Sequence, residues 1–417
     1  MTHASTVHHT DVLIVGAGPA GLAAGIELRR LGVTRVLVID REDHAGGIPR
    51  HAAHTGFGLR DLHRLLTGPQ YAARYVRLAQ DMGIDLRTST TVTGWTAPTA
   101  VSLTSPSGIE EVSAKVIVLA TGCRERPRTA RLVPGTRPLG VFTTGALQQF
   151  VYLHQQPIGR RAVVVGAEHV SFSAVFTLAH GGASTVAMLT EHPRDQTYAP
   201  FKWITATRLR VPILVSTSIT QILGRRRVEA VEVTDLRTGG VRQLECDTVI
   251  FTGDWIPDHE LARRGGLEMD PATRGPRVDC ALRTSAHGVF AAGNLLHGAE
   301  TADVAALSGR HAARAIRDFL DANAWPARPA VPVQCEPPLQ WVSPSAITAA
   351  VEPPRGRFLL RVREFCGPAE IIASQGPRTL WHRRYRTLVP NVSIQTPAAF
   401  VRHVDVGGPP LIFRLAT

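Results

Sequence analysis

The chain has 417 residues, 44% of them hydrophobic, and carries a formal net charge of +12 at pH 7. This length predicts two or three domains with real cores, and no apolar run approaches the length of a membrane span. Only Lys115 and Lys202 are lysines among the 46 basic residues, and the arginines are scattered in short groups. Such a pattern is typical of a solvated surface, so we expect neither a nucleic-acid partner nor a membrane span.

The five cysteines lie far apart in the sequence, at Cys123, Cys246, Cys280, Cys335 and Cys366. Because there is no C-x-x-C, the spacing predicts no redox dithiol and no iron–sulfur or zinc site. The N-terminus has neither the basic n-region nor the apolar h-region of a signal peptide. We therefore expect reduced thiols and a cytoplasmic location.

A strand, a glycine turn and a helix open the chain between residues 11 and 31. Gly16, Gly18 and Gly21 have G-x-G-x-x-G spacing. The first glycine permits the tight turn, the second lets a pyrophosphate approach the backbone, and the third lets helix and strand pack closely. A second apolar strand ends in Asp40, whose carboxylate can accept both hydroxyls of an adenosine ribose. The combination predicts a dinucleotide site at the N-terminus of the helix.

The segment after this acid contains a glycine pair and then three histidines. Gly46 and Gly47 predict a loop that passes close to the same nucleotide. His51, His54 and His63 have no accompanying carboxylate or cysteine cluster at a useful spacing, which disfavours a metal site. The sequence leaves open whether a histidine here lies near a reactive ring or is a plain surface or capping residue.

A helix is predicted over Leu59–Met82, broken near Gly68, and a second strong signal follows over Lys115–Pro127. There an apolar strand ends in Thr121 and Gly122 and turns into a polar, proline-bounded loop. A glycine at the end of a strand again allows backbone to approach a ligand closely.

From Arg161 the chain repeats the strand, turn, helix and strand pattern, but its glycine fingerprint is altered. Gly166 holds the first position, Glu168 replaces the second glycine and Ser171 the third. A glutamate brings bulk and negative charge to the place where a pyrophosphate would lie. We expect the fold of this unit to survive and its tight NAD(P) binding to be lost, with an unusual pose that tolerates Glu168 as the alternative.

Two later strand ends complete the pattern. Residues 248–254 repeat the strand-to-Thr-Gly pattern of residues 116–122, and this duplication favours two similar domains. Further on, a short apolar strand ends in Gly293 and Asn294, and a helix is predicted to begin near Ala302. A polar side chain at a strand end beside a helix N-terminus can hold a polyol chain while the helix amides face an anionic ring edge.

The three signals, G-A-G-P-A-G, then A-T-G, then A-A-G-N before a helix, resemble the two-dinucleotide-binding-domain flavoproteins, which include glutathione-reductase-like enzymes. The resemblance covers roughly residues 10–320. It implies an α/β fold with two Rossmann-like three-layer dinucleotide-binding domains, the second inserted in the first, and composition adds a small β-rich C-terminal domain after a proline-rich linker. The expected division is 1–130 with 284–325 for the FAD-binding domain, 131–283 for the NAD(P)-binding-like domain, and 326–417 for the linker and C-terminal domain.

The same resemblance implies FAD as the cofactor, held by residues from all three signals. Asn294 stands where an Asp is more usual in the family, so it keeps an acceptor for a ribityl hydroxyl but loses the charge. The implied cofactor-binding residues are Gly16, Gly18, Pro19, Ala20, Gly21, Asp40, Arg41, Gly46, Gly47, Ile48, Thr121, Gly122, Gly293, Asn294 and Ala302.

Three shorter stretches, GGIPRH, GAEHVS and GDWIPDHEL, resemble the flavoprotein subunits related to opine oxidase, hydrogen cyanide synthase and the α subunits of amine and hydroxyproline dehydrogenases. This resemblance implies oxidation of a C–N bond in a small amine or amino-acid-like substrate, with electrons passed to a partner or acceptor. The candidate partners are a second flavoprotein or an iron–sulfur subunit. The candidate catalytic residues are His51, His54 and His297.

Two other functions remain open from the sequence. One is an NAD(P)H-dependent flavin reductase or monooxygenase, which Glu168 disfavours. The other is a non-catalytic FAD-binding subunit for electron transfer or assembly.

Overall fold

The computed structural model describes residues 7–197, 210–326 and 330–416. Lys202, the first six residues and part of the predicted linker lie outside the described residues. The structure divides into two compact units. The first unit contains the chain up to Arg50, Thr55–Cys123 and the chain from Ile256 onward, and the second contains His51–His54 and Arg124–Trp255. Among the described residues no helix is long and apolar enough to cross a membrane.

The helices and strands are numbered in chain order. The α-helices of the described residues are α1 (Pro19–Arg30), α2 (Gly68–Asp81), α3 (Thr144–Gln148), α4 (His169–His180), α5 (Glu260–Arg264) and α6 (Ala302–Ala322). The strands as far as the second unit's last one are β1 (Val7–Val15), β2 (Val36–Ile39), β3 (Thr55–Phe57), β4 (Leu66–Thr67), β5 (Asp85–Arg87), β6 (Thr91–Ala97), β7 (Ala100–Ser105), β8 (Gly108–Leu119), β9 (Cys123–Glu125), β10 (Val141–Thr143), β11 (Arg161–Val165), β12 (Ser184–Leu189), β13 (Ile213–Leu214), β14 (Thr217–Leu223), β15 (Ala230–Asp235), β16 (Val241–Glu245) and β17 (Thr248–Phe251). The remaining strands are β18 (Trp255–Pro257), β19 (Val289–Ala291), β20 (Val331–Cys335), β21 (Leu339–Ser343), β22 (Ala346–Ile347), β23 (Arg357–Val362), β24 (Ala369–Gln375), β25 (Arg378–Tyr385), β26 (Ile394–Pro397) and β27 (Leu411–Ala416).

The first unit is built on a parallel sheet in the order β5-β2-β1-β8-β19. The first half of β8 pairs with antiparallel β7, which continues to β6. Val12–Val15 and Val36–Ile39 are buried along their whole length, as expected of central parallel strands with both faces covered. The carboxyl ends of β1, β2, β8 and β19 therefore lie along one edge of the sheet, where a dinucleotide binds in folds of this type.

The second unit has its own parallel sheet, in the order β10-β17-β11-β12-β13. A three-stranded antiparallel sheet, β14-β15-β16, follows in the same unit. Helix α4 comes directly after β11 and buries Phe172, Val175 and Leu178 in the core. Each unit thus contains a Rossmann-like sheet, and the predicted α/β fold class is confirmed.

The β-rich C-terminal part belongs to the first unit and has a core of its own. A five-stranded sheet in the order β22-β20-β27-β24-β25 and a three-stranded sheet, β21-β23-β26, contribute to it. Phe358, Phe400 and Phe413 pack together there, with ring centroids 5.5–6.3 Å apart.

Two features differ from the sequence-based expectation. Residues 256–283, expected in the second domain, belong to the first unit, and Ala262, Leu267 and Leu282 lie in its main core. Helix α2 begins only at Gly68, because Thr67 forms a capping box with Gln70 and a proline occupies the first turn. The glycine therefore starts the helix rather than breaking it, and the residues before it form a turn and β4.

Candidate functional site

The glycine turn between β1 and α1 combines very close backbone packing with one open position. A Cβ on Gly21 would lie 1.9 Å from Gly16 O, and a Cβ on Gly47 would lie 2.9 Å from the Cα of Gly18. Both glycines are therefore required by the fold. A Cβ on Gly18 would instead meet nothing nearer than the Cα of Gly47, at 3.9 Å. Space remains over this turn, beside the amides of the α1 N-terminus, and a pyrophosphate fits it.

Other residues that the resemblance assigns to the cofactor surround the glycine turn. Pro19 is the first residue of α1, and Ala20 after it is buried. A Cβ placed on Gly293 would lie 2.6 Å from the Cβ of Ala20, so Gly293 packs closely against the start of this helix. Gly46 donates its amide to Ala17 O at 2.8 Å and has φ of +120°, a value that favours glycine. Ile48 begins a 3-10 turn and exposes 56% of its surface.

Asp40 lies at the carboxyl end of β2 and is held by backbone amides. Its Oδ2 accepts from Ala17 N at 2.6 Å, and its Oδ1 accepts from Glu42 N at 2.9 Å. Each carboxylate oxygen has lone pairs left, so the fixed carboxylate can still accept the ribose hydroxyls.

Asp258 lies in the stretch GDWIPDHEL, and the sequence alone predicts no role for it. Its carboxylate pairs with Arg41 at 3.0 Å, its carbonyl accepts from Thr121 Oγ1 at 2.8 Å, and its amide donates to Gly122 O at 2.9 Å. It thus ties together two strand ends that the resemblance assigns to the cofactor. Gly122 has φ of +77°, and a Cβ placed on it would meet no atom within 4 Å, so its outer face is open.

Asn294 closes a loop between β19 and α6. Its Oδ1 accepts from Glu300 N at 3.0 Å, and its Nδ2 donates to Glu300 O at 3.1 Å. The amide before it, Gly293 N, donates to Ser308 Oγ at 2.8 Å. One lone pair of Oδ1 remains for a ligand hydroxyl. Helix α6 then begins at Ala302.

The three candidate catalytic histidines fall in different units. His297 lies in the first unit, stacked on Trp341 with ring centroids 5.0 Å apart, and its Nδ1 lies 2.9 Å from Gly298 O. Burial lowers the pKa of His297 to about 4, so this ring is neutral near pH 7 and cannot act as a cationic acid. His51 and His54 lie in the second unit. His51 is buried, with Nδ1 3.3 Å from Gln148 Oε1, and His54 is half-buried.

The altered turn of the second unit is occupied by its own glutamate. Glu168 is 8% exposed, and its carboxylate accepts from Ala167 N at 3.0 Å and from Thr252 Oγ1 at 2.6 Å. Ser171, at the third position of the fingerprint, accepts from Glu168 N at 3.2 Å through its Oγ. A Cβ on Gly253 would lie 2.5 Å from Glu168 Oε1. The carboxylate therefore fills the space between the turn and the end of β17.

A second buried acid, which no sequence motif marks, lies in the same unit. Glu125 Oε2 accepts from Gly145 N at 2.9 Å, while its Oε1 has no hydrogen-bond partner among the described residues. Burial raises the pKa of Glu125 to about 7. It can therefore hold or release a proton near neutral pH. Its position in the stretch ATGCRERP was the only available sequence signal.

Four of the five thiols lack the features of a redox centre. None of the five cysteines forms a disulfide, and burial raises the pKa of Cys246 and of Cys335 to about 11. Burial also raises the pKa of Cys280 and of Cys366. These four thiols are therefore protonated at neutral pH, whereas thiol–disulfide exchange needs a thiolate. In the part of the chain that the structure describes, no group of three His, Cys, Asp or Glu side chains could hold a metal ion.

The whole dinucleotide-binding region matches a known protein family. The family described as pyridine nucleotide-disulphide oxidoreductase matches residues 10–309. The chain belongs to this family. It is an FAD-dependent oxidoreductase, and the open space at Gly18 beside the fixed Asp40 carboxylate fits the cofactor. The matched region ends before β20, so the β-rich C-terminal part lies outside it.

The similar proteins include reductases and an oxidase subunit. A ferredoxin–NADP reductase of Ignicoccus hospitalis is 28% identical over 76% of this chain and 99% of its own length. A thioredoxin reductase of Mycolicibacterium smegmatis is 29% identical over 78% of this chain and 98% of its own. An opine oxidase subunit of Agrobacterium tumefaciens is 26% identical over 73% of this chain and 65% of its own. Among solved structures, the thioredoxin reductase of T. acidophilum gives a TM-score of 0.63 at 22% identity, covering 76% of this chain and all of the other, which shows the shared fold.

Proposed function

We propose that this chain is the FAD-binding subunit of a dehydrogenase or oxidase that oxidises a C–N bond in a small amine or amino-acid-like substrate. Electrons then leave to a partner or an acceptor, not to NAD(P). The observation that carries this proposal is the Glu168 carboxylate, which is held by Ala167 N and Thr252 Oγ1 inside the second dinucleotide turn.

The physical argument concerns charge and space. A pyrophosphate is stabilised at a helix N-terminus by free amides and a partial positive charge. Here a carboxylate of the chain already accepts an amide of this turn and offers negative charge to any incoming phosphate. Two like charges 4 Å apart repel by about 4 kcal/mol at an effective dielectric of 20. NAD(P) binding at this turn is therefore disfavoured, and a different hydride donor is needed.

The named relatives suggest the type of donor. The opine oxidase subunit of Agrobacterium tumefaciens and the α subunit of a sarcosine oxidase from a Corynebacterium species, 28% identical over 66% of this chain, are named for the oxidation of nitrogen compounds. This chain spans 29% of the length of the latter. Both names also denote one subunit of an assembly, which supports a partner for this chain.

The chain's own residues suit such a reaction. Bound FAD supplies a hydride acceptor at its N5 atom. The Asp40 carboxylate and the α1 N-terminus orient the adenosine end, and the Asn294 loop lies before the N-terminus of α6. The neutral ring of His297 is fixed by Trp341, so it can shape a site without donating a proton.

Anaerobic reduction is the direct test of the donor. We expect candidate amines or amino acids to bleach the flavin of the purified protein, and NADH or NADPH to bleach it slowly or not at all. Stopped-flow absorbance at the flavin band gives both rates. Bleaching by NADH on the order of 10 per second or more, a typical turnover rate, would instead establish the flavin reductase or monooxygenase, which the 28–29% identical reductases favour.

The electron acceptor requires a second experiment. No two cysteines form a disulfide, and burial raises the pKa of four of the five thiols, so these four are poor redox centres and electrons from the flavin need another acceptor. We expect turnover with oxygen alone to be slow and to rise with an artificial acceptor dye or a co-expressed partner. Full turnover of the lone chain on oxygen, without gain from any acceptor, would identify a simple oxidase. A chain that no amine reduces, with or without its partner, would be the non-catalytic electron-transfer subunit.

A further inference from the structure

A narrow pocket in the first unit lies where the loop after β19 and helix α6 meet the C-terminal sheets. Its volume, including the open solvent at its mouth, is about 430 Å³. One wall includes Asn294, His297 and Glu300, and the other includes Ser343, Arg355 and Arg357. The second wall lies beyond residue 309, where the family match ends, so the complete pocket is a feature of this chain and not of the family region.

Glu300 presents an unsatisfied acceptor in this pocket. Its side chain is 6% exposed, and Oε1 has no hydrogen-bond partner among the described residues. Arg361 Nη2 lies 3.6 Å from that oxygen, within ion-pair range but beyond hydrogen-bond range. The same Nη2 also donates to Ala299 O, and the Arg361 guanidinium lies over the Trp341 ring. Burial raises the pKa of Glu300, as expected of a carboxyl whose charge is incompletely compensated.

Arg355 presents the complementary unsatisfied donor. Its Nη2 donates to Gln395 Oε1 at 3.2 Å, but its buried Nη1 has no hydrogen-bond partner in the described part of the chain. The exposed Arg357 competes for the same acceptor, at 3.1 Å. Arg355 also occupies the left-handed region, with φ of +61°, a conformation that is costly for a residue other than glycine. A buried guanidinium nitrogen without a partner is a feature that a bound anionic group would explain.

We propose that this pocket binds a small amino acid as a zwitterion, with the ligand ammonium at Glu300 and its carboxylate at Arg355. An ammonium donates three hydrogen bonds and a carboxylate accepts them, so one ligand satisfies both orphan atoms. The charges of the walls suit a molecule with both signs, because Glu300 faces the ammonium while Arg355 and Arg357 face the carboxylate. Binding does not depend on the proposed function. The amino acid is either the substrate or an effector, and both share this chemistry.

Calorimetric titration of the FAD-loaded full chain with L-alanine is the first test. Propionate lacks the ammonium group and ethylamine lacks the carboxylate, so the two are matched controls of nearly the same size. We expect L-alanine to bind at least about tenfold more tightly than either, because each control lacks one of the two charged groups that hydrogen-bond in the pocket. Equal binding of the three compounds, or no binding of L-alanine at tens of millimolar, would overturn the proposal.

Variants locate the binding. Arg355→Gln and Glu300→Gln should each weaken L-alanine binding at least about tenfold, whereas Arg414→Gln, at an exposed position of the same domain, should not. Flavin content and thermal midpoint of each variant establish that it is folded. If the Arg355 and Glu300 variants fold and bind as the wild type does, the pocket is refuted.

Mixing L-alanine with the FAD-loaded chain without oxygen distinguishes a substrate from an effector. If L-alanine binds at the pocket and bleaches the flavin, it acts as a substrate. If it binds without bleaching, it acts as an effector, and the site stands even where the proposed C–N oxidation fails for this compound.

Discussion

Glu168→Gly is expected to create NADH binding in a chain whose second dinucleotide turn is closed by its own carboxylate. The substitution restores the G-x-G spacing after β11 and frees Ala167 N and Thr252 Oγ1, the two groups that hold the carboxylate. It also removes a negative charge from the anion site. We expect affinity for NADH to rise at least about tenfold, since the repulsion removed is of the order of 4 kcal/mol and part of it is offset by the lost hydrogen bonds. Fluorescence titration with NADH measures the change.

Two control variants distinguish closure of the turn by the Glu168 carboxylate from a general effect of removing negative charge. Glu168→Gln keeps a side chain that can accept from the same amide. The turn should therefore remain closed in this variant, and its affinity for NADH should rise much less than in Glu168→Gly. Glu245→Gly removes an acid from the same unit at a side chain that is 81% exposed, and it should leave NADH affinity unchanged. If Glu168→Gly folds, retains FAD and binds NADH no better than the wild type, the carboxylate is not what closes this turn.

Central strands of both parallel sheets could be predicted from sequence because their buried stretches are short and mostly apolar. Val12–Val15 and Thr248–Phe251 are examples, and both are buried throughout. The start of α2 was missed for the opposite reason. The helical periodicity reaches back past Gly68, but the capping box of Thr67 and Gln70 fixes the beginning of the helix locally.

The site could be predicted only where one contiguous motif encodes it. Gly16, Gly18 and Gly21 follow one another, and Glu168 stands at a recognisable position of a second fingerprint. The sequence showed a charge at that position but not that its carboxylate folds back onto Ala167 N. Asp258 lies more than 200 residues from Arg41 and could be recognised only once the chain had folded.

The same limit applies to the pocket of Glu300 and Arg355. Glu300 lies in the loop before α6 and Arg355 in a 3-10 turn before β23, and neither sits in a motif whose spacing predicts a partner. Their importance comes from two unsatisfied atoms that line one cavity, which is a property of packing and not of sequence pattern. The β-rich C-terminal region therefore carried no functional signal when only its sequence was considered.

Gly18→Val is expected to give a folded but colourless protein. Gly18 has φ of −82° and ψ of −174°, which is extended backbone that valine adopts readily. Its Cβ would meet no protein atom nearer than the Cα of Gly47, at 3.9 Å, so we expect the fold to accept the side chain, which would occupy the space proposed for the pyrophosphate. Absorbance at the flavin band relative to 280 nm, with the thermal midpoint, measures cofactor content and folding together.

The neighbouring glycines supply the contrast that makes this result specific. Gly21→Val would drive its Cβ to 1.9 Å from Gly16 O, so that variant should lose the fold together with the flavin. Gly94→Val, in β6, adds the same side chain where no atom lies within 4 Å, and it should keep wild-type flavin content. A yellow Gly18→Val protein with one FAD per chain would mean that the cofactor does not cross this turn. Loss of flavin at Gly18 alone, in a chain that still unfolds cooperatively, assigns the open space to the pyrophosphate, because valine is compatible with every other demand of the backbone there.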